Sequence, residues 1–173
     1  KFKYGRVDIS FSVPEITGVW PALWMMPEKS VYGNWPRSGE IDIVETINEK
    51  SDELVTTIHY GHDYHRQISK TTFLNQLTKL SNPIDHNKIS LIWEDEYFEW
   101  LLNDQLVFKV NFNEVENLEP NPFLEEFYLL INVAVGGNWP GTPNSTMYCN
   151  SRKSCPDVKK LIVDYIAYYE KIN

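Results

Sequence analysis

Glu40, Asp42 and Glu45 are the residues of this chain whose type and spacing could do chemistry, in the run Glu40-Ile41-Asp42-Ile43-Val44-Glu45 behind Gly39. Three carboxylates are interleaved with three β-branched aliphatics, a composition with strong strand propensity. In a strand, Glu40 and Asp42 share one face while Ile41 and Ile43 share the other. Strict alternation sends Glu45 to the apolar face, where an unpaired charge is very costly. One inserted residue near Val44 returns Glu45 to the acidic face. That is a β-bulge, a device common beside active sites.

Two carboxyls about 5 Å apart on one surface are the apparatus of a retaining glycosidase. In that chemistry Glu40 attacks the anomeric carbon. Glu45 protonates the leaving oxygen and then deprotonates water. Asp42, between them, helps to keep Glu45 protonated, because like charges raise one another's pKa. The plainer alternative is an exposed acidic strand face, or an edge strand guarded by charge.

The surroundings of the acidic run are aromatic. Trp20 and Trp24 lie four apart in Gly18-Val19-Trp20-Pro21-Ala22-Leu23-Trp24-Met25, so in a strand they share a face. Trp35 sits in the Pro- and Gly-rich stretch that leads into Glu40. Flat apolar rings beside carboxylates suit a pyranose, and indole adds a donor N–H. For Trp24 the core and a cleft are both open, since tryptophan is highly buried on average. For Trp35, next to Pro36, the cleft is favoured.

These residues need a scaffold of strands. Strand-like segments recur from Tyr4 to Val13, Leu23 to Met26, Glu40 to Thr46, Leu54 to Tyr60 and Lys88 to Trp93. Others run from Tyr97 to Leu102, Gln105 to Phe112, Phe127 to Val135 and Leu161 to Tyr169. Val7, Ile9, Phe11 and Val13 alternate cleanly. Asn103-Asp104 predicts a hairpin turn. No long amphipathic helix is evident, and Phe112 to Leu118 predicts a turn or so. The pattern is all-β, an antiparallel β-sandwich. With 173 residues and no linker or repeat, residues 1–173 read as a single domain.

A net charge of −8 argues against nucleic acid or an anionic membrane surface as partner. The apolar stretches are too short for membrane insertion. Cys149 and Cys155 flank a polar loop. A disulfide there suits a secreted, extracellular protein; two free thiols in a reducing compartment are the alternative. His62 and His65, in Gly61-His62-Asp63-Tyr64-His65, read as a solvated loop after a strand.

The chain resembles glycoside hydrolase family 16, and within it the laminarinase-like endo-β-1,3-glucanases. The resemblance is carried by Phe2-Lys3-Tyr4-Gly5-Arg6, the Trp20 to Met25 segment, Trp35-Pro36-Arg37-Ser38-Gly39 with the acidic run, and Ile58-His59-Tyr60-Gly61. It continues through Asn132-Val133-Ala134-Val135-Gly136-Gly137-Asn138-Trp139-Pro140-Gly141 and Val163-Asp164-Tyr165. It implies a concanavalin-like β-jelly roll lacking the strands that family members carry before Phe2. Such a sandwich exposes strand edges and part of its core.

The resemblance also implies roles. Glu40 matches the nucleophile, Asp42 the assisting aspartate and Glu45 the acid/base. Trp20, Trp24 and Trp35 match positions that line the glucan cleft, and His59 a cleft histidine near the acid/base. Asn138 and Trp139 sit either at the cleft border or in a turn closed by a packed indole. The extra residue between Asp42 and Glu45 matches the laminarinases and enzymes on algal galactans. The implied activity is double displacement on β-1,3-glucan by a secreted monomer. A transglycosylase, or a β-glucan-binding protein without turnover, are the alternatives. No cofactor is required; a structural calcium ion at Asp164 is the one metal the resemblance leaves open, with its other ligands largely backbone carbonyls.

Overall fold

The computed structural model describes residues 1–14, 17–47, 53–74, 87–143 and 160–171. Its strands are β1 (Gly5–Ser12), β2 (Val19–Pro27), β3 (Glu40–Glu45), β4 (Glu53–Tyr60) and β5 (Arg66–Phe73). Then come β6 (Asn87–Trp93), β7 (Tyr97–Leu102), β8 (Gln105–Asn111), β9 (Phe127–Val135) and β10 (Ile162–Tyr169). Single 3-10 turns cover Phe112–Glu114 and Pro122–Leu124. All strand pairs are antiparallel, in two five-stranded sheets ordered β10-β1-β6-β7-β8 and β5-β4-β3-β2-β9. The expected all-β sandwich is therefore the observed fold, and β3 is the central strand of its sheet.

Alternation explains how the two sheets meet. Val7, Ile9 and Phe11 of β1 are buried with Leu23 and Met25 of β2 and Ile41, Ile43 and Val44 of β3. Trp93, Phe98, Trp100, Phe123 and Phe127 fill the core with rings, and the Trp93 indole donates to the Phe123 carbonyl at 3.1 Å. Phe98 meets both Trp93 and Phe123 at centroid distances of 5.7 and 5.2 Å. These edge and tilted contacts add to the burial of large apolar surface.

Two elements differ from the sequence reading. β2 begins at Val19 rather than Leu23, with Pro21 inside it. Proline is poor in a central strand because it donates no ladder hydrogen bond. Here the Pro21 carbonyl accepts from the Thr46 N–H, so the missing donor points to the side where β3 has already ended at Glu45. β5 was not anticipated. Its sequence Arg-Gln-Ile-Ser-Lys-Thr-Thr-Phe is polar because it is an edge strand, and little of it is buried. The hairpin at Asn103-Asp104 is as expected, with φ of 50° and 66°. Cys149 and Cys155 lie outside the described residues.

Two edge strands, β9 and β10, carry exposed apolar side chains. Ile131, Val133 and Val135 of β9 sit opposite Leu23, Pro21 and Val19, on the core-facing side, yet remain exposed. Ile166 and Tyr168 of β10, opposite Ile9 and Val7, are exposed in the same way.

Gly39 delivers the chain into β3. Its φ is +82°, and a Cβ there would lie 3.1 Å from both Phe123 and Pro122 and 3.2 Å from Phe127. Only glycine takes that backbone freely, and the rings are core. Gly39→Ala is expected to cost about 2 kcal/mol, from left-handed strain and overpacking, read as a drop in thermal midpoint with the cleft side chains unchanged.

Candidate active site

The acidic row is built by a register shift. On β4, Asp42 pairs with Thr57 and Glu45 with Val55, so three steps along β3 match two along β4. On β2, Trp24 pairs with Asp42 and Leu23 with Val44. The extra residue lies at Ile43–Val44, and both side chains enter the core. Glu45 thereby returns to the face of Glu40 and Asp42, as the sequence predicts.

Each acid has its own partners. Glu40 accepts from the Trp35 indole and is hydrogen-bonded to Asp42. Asp42 is almost wholly buried. Its Oδ2 lies 3.0 Å from His59 Nε2, without an aligned hydrogen bond. Glu45 accepts from the Trp20 indole at 2.9 Å.

Burial is the first cause of raised affinity for protons at all three. It pushes Glu45 up to about 8, helped by the charge of Asp42 and opposed by the Trp20 hydrogen bond. It pushes Glu40 up to about 7, with Asp42 as the second cause, and Asp42 itself to about 7. Glu40 and Asp42 titrate as one pair around a shared hydrogen bond. His59 moves down, because burial disfavours its cation more than Glu40 and Glu45 favour it. Glu40, Asp42 and His59 bring ligand-type atoms within 4.8 Å of one another.

The aromatic residues surround this row. Trp24 is half-buried and donates to Asn132 Oδ1 at 2.7 Å, so it belongs to the cleft face. Trp20 meets Trp139 edge-on at 4.8 Å. Trp139 is 41% exposed, which places it at the border of the acidic face and not in the core. Asn138 is exposed in the same turn. Trp35 is 49% exposed, on a loop held at several points. Ser38 Oγ donates to the Gly33 carbonyl at 2.7 Å and accepts from the Tyr32 N–H at 3.1 Å. Arg37 Nε donates to the His62 carbonyl at 2.9 Å, and Tyr32 Oη to Glu125 at 3.1 Å. A cavity of about 370 Å³ opens here, walled by Trp35, Arg37, His62 and Tyr64.

His59 stands directly across from Glu40 in register, so it serves the Glu40–Asp42 end of the row more than the Glu45 end. Two contacts lay beyond the sequence reading. Asn132 was legible in principle, since alternation on β9 puts it opposite Ala22, between the levels of Trp20 and Trp24. His65 was read as solvated loop; it is exposed, but its Nε2 lies 2.8 Å from His59 Nδ1.

Asp164 stands apart from this site. It accepts from Ser10 Oγ at 2.9 Å. Among the described residues it joins no cluster of three or more acidic, histidine or cysteine side chains. One carboxylate supplies at most two of the six to eight oxygens calcium takes.

Three carboxyls with raised affinity for protons, flanked by indoles, can perform acid and nucleophilic catalysis at one acetal carbon. A family profile described as XgeA-like, catalytic GH16 domain matches residues 6–91. The chain is 36% identical over 187 residues to glucan endo-1,3-beta-glucosidase A1 of Niallia circulans, covering 98% of this chain and 24% of that protein. It is 30% identical over 159 residues to a beta-1,3-glucan-binding protein of Penaeus monodon, covering 79% of this chain and 43% of that one. The laminarinase catalytic domain of Thermotoga maritima MSB8 superposes with a TM-score of 0.82 at 29% identity, over 99% of this chain and 66% of that chain. The chain thus spans about a quarter of the Niallia protein and about two thirds of the Thermotoga domain.

Proposed function

This chain belongs to glycoside hydrolase family 16, and we propose that it is a retaining endo-hydrolase of β-1,3-glucan working by double displacement. The observation that carries this is the bulge in β3, which sets Glu40, Asp42 and Glu45 on one face with Glu45 raised to about 8. Glu40, ionised, attacks the anomeric carbon. Glu45, protonated at neutral pH, gives its proton to the departing glycosidic oxygen. Asp42 holds the Glu40 carboxyl through their shared hydrogen bond and keeps the proton on Glu45 by like charge. Water then resolves the glycosyl–Glu40 ester with Glu45 as base.

The glucan substrate is supported by likeness to the Niallia circulans and Thermotoga maritima proteins and by the indoles beside the row. A neutral polysaccharide also suits a chain with net charge −8. Action outside the cell, as a monomer, is part of the same proposal. Likeness to the Penaeus monodon protein favours a second reading, glucan binding without turnover. The two intact glutamates weigh against it.

The test is release of reducing ends from laminarin and from mixed-linked barley glucan, with the anomer of the first product followed by NMR. Early β-anomer from laminarin supports the proposal. Tight binding without release would support the binder, and an early α-anomer would rule out retention.

Trp35→Ala tests the cleft. Its ring is half exposed, so the melting temperature is expected to move by no more than about 2 °C. KM for laminari-oligosaccharides is expected to rise about tenfold, the size of one aromatic contact. A large thermal loss with KM unchanged would make Trp35 a structural residue.

A further inference from the structure

We propose that His65 is a positioning residue of this site, its Nε2–H donating to His59 Nδ1 and so placing the ring proton of His59 on Nε2, toward Asp42. The inference rests on the hydrolase reading above for its consequence, and on geometry for its substance.

His59 touches a group at each ring nitrogen. Nδ1 is 2.8 Å from His65 Nε2, and Nε2 is 3.0 Å from Asp42 Oδ2. A neutral imidazole carries one proton, so the partner at one nitrogen decides what the other presents. If His65 donates, the ring proton of His59 sits on Nε2, 3.0 Å from Asp42 Oδ2 though not aligned with it. If His65 accepts, a lone pair faces it instead, and Asp42 must supply the proton. His65 is therefore linked through one ring to the Asp42–Glu40 pair.

Its orientation is fixed twice. The His65 ring lies against Trp35 at 4.7 Å and stacks on His59 at 5.0 Å. Trp35 in turn donates to Glu40. His65, Trp35, Glu40, Asp42 and His59 thus close a ring of contacts in which each member touches the next.

The charged groups around His59 all bear on this arrangement. From β3 these are Glu40, Asp42 and Glu45. From β5 the facing position is Gln67, which is uncharged. From the loop at 61–65 comes His65. His65 binds protons less readily than a free imidazole, through burial and the neighbouring His59. Its neutral state near pH 7 leaves one ring proton, which fits a donor on Nε2.

An N–H 3.0 Å from Asp42 Oδ2, in place of a lone pair, favours the ionised carboxyl by its dipole. Removing His65 frees His59 to turn or change tautomer, and the Asp42–Glu40 pair then holds its proton to higher pH. The acid limb of kcat/KM moves up.

Two variants separate the hydrogen bond from the ring contact. His65→Phe keeps a ring for Trp35 and loses the nitrogen. His65→Gln keeps an N–H donor and loses the ring. Imidazole nitrogen-15 spectra and kcat/KM on laminarin from about pH 5 to 9 are recorded for both and for the unaltered chain. The unaltered chain is expected to show an unprotonated Nδ1 and a protonated Nε2 at His59. In His65→Phe the two nitrogens average, the acid limb rises by about half a pH unit or more, and kcat/KM below it falls about threefold with KM held. His65→Gln restores limb and spectrum. A protonated Nδ1 at His59 in the unaltered chain, or a limb and spectrum unmoved in His65→Phe, overturns the proposal. If the unaltered chain releases no sugar, the hydrolase reading fails while the nitrogen spectra still decide what His65 does.

Discussion

Glu40→Gln is expected to leave a folded protein whose release of reducing ends from laminarin falls at least about a thousandfold, a loss of about 4 kcal/mol of transition-state stabilisation. The amide keeps the size of the side chain and can still meet Trp35 and Asp42, but it cannot form the glycosyl ester. Stability gives the control. Burial raises Glu40 to about 7, so its ionised form is a cost to the fold near neutrality, and a neutral amide removes that cost. The variant should therefore melt at or above the temperature of the unaltered chain at pH 8. Lost activity together with a lowered melting temperature would mean a damaged sheet, and undiminished activity would remove Glu40 from the mechanism.

Glu45→Gln has the second large effect. Loss of a general acid lowers rates by about 10² to 10⁴. The loss should be greatest on laminarin, whose leaving group needs protonation, and smaller on an aryl glycoside with an acidic phenol, where the first step can proceed unaided. The pH profile is diagnostic. The unaltered chain should show a bell, rising near 7 as the Glu40–Asp42 pair ionises and falling near 8 as Glu45 loses its proton. Glu45→Gln removes the alkaline limb.

The same proton governs stability. An unfolded glutamate releases it near pH 4, whereas folded Glu45 holds it to about 8. Between those values the folded chain binds more protons than the unfolded one, so stability falls as pH rises. Glu45→Gln should flatten that decline and raise the melting temperature at pH 8 by about 3 °C or more. A steeper decline in the variant would contradict burial as the cause.

Much of this was legible in the sequence, for reasons that differ by residue. The acidic row followed from two facts of strand geometry, period two and the cost of burying Glu45, and the bulge lies where those facts require it. Trp20 and Trp24 share a face because four is an even number of residues. β5 escaped notice because an edge strand need not be apolar, and composition was the signal being read. The extent of β2 was cut short by Pro21, whose tolerance depends on where its neighbour β3 ends. His65 could not be placed, since its meeting with His59 depends on the path of the loop at 61–65. The character of Trp24, core or cleft, was decided by a long-range partner, Asn132.

The hydrogen bond from the Trp20 indole to Glu45 makes the acid visible to light. Indole emission is sensitive to the charge and proton of a carboxyl bonded to its nitrogen, and Trp139 lies against the same ring. The excited state of Trp20 samples the acid within nanoseconds, with no substrate present. A fluorescence titration of the resting protein is thus expected to follow the Glu45 proton, and on the proposed function a glucan chain settling over the two rings is expected to change the same signal before any bond is cut.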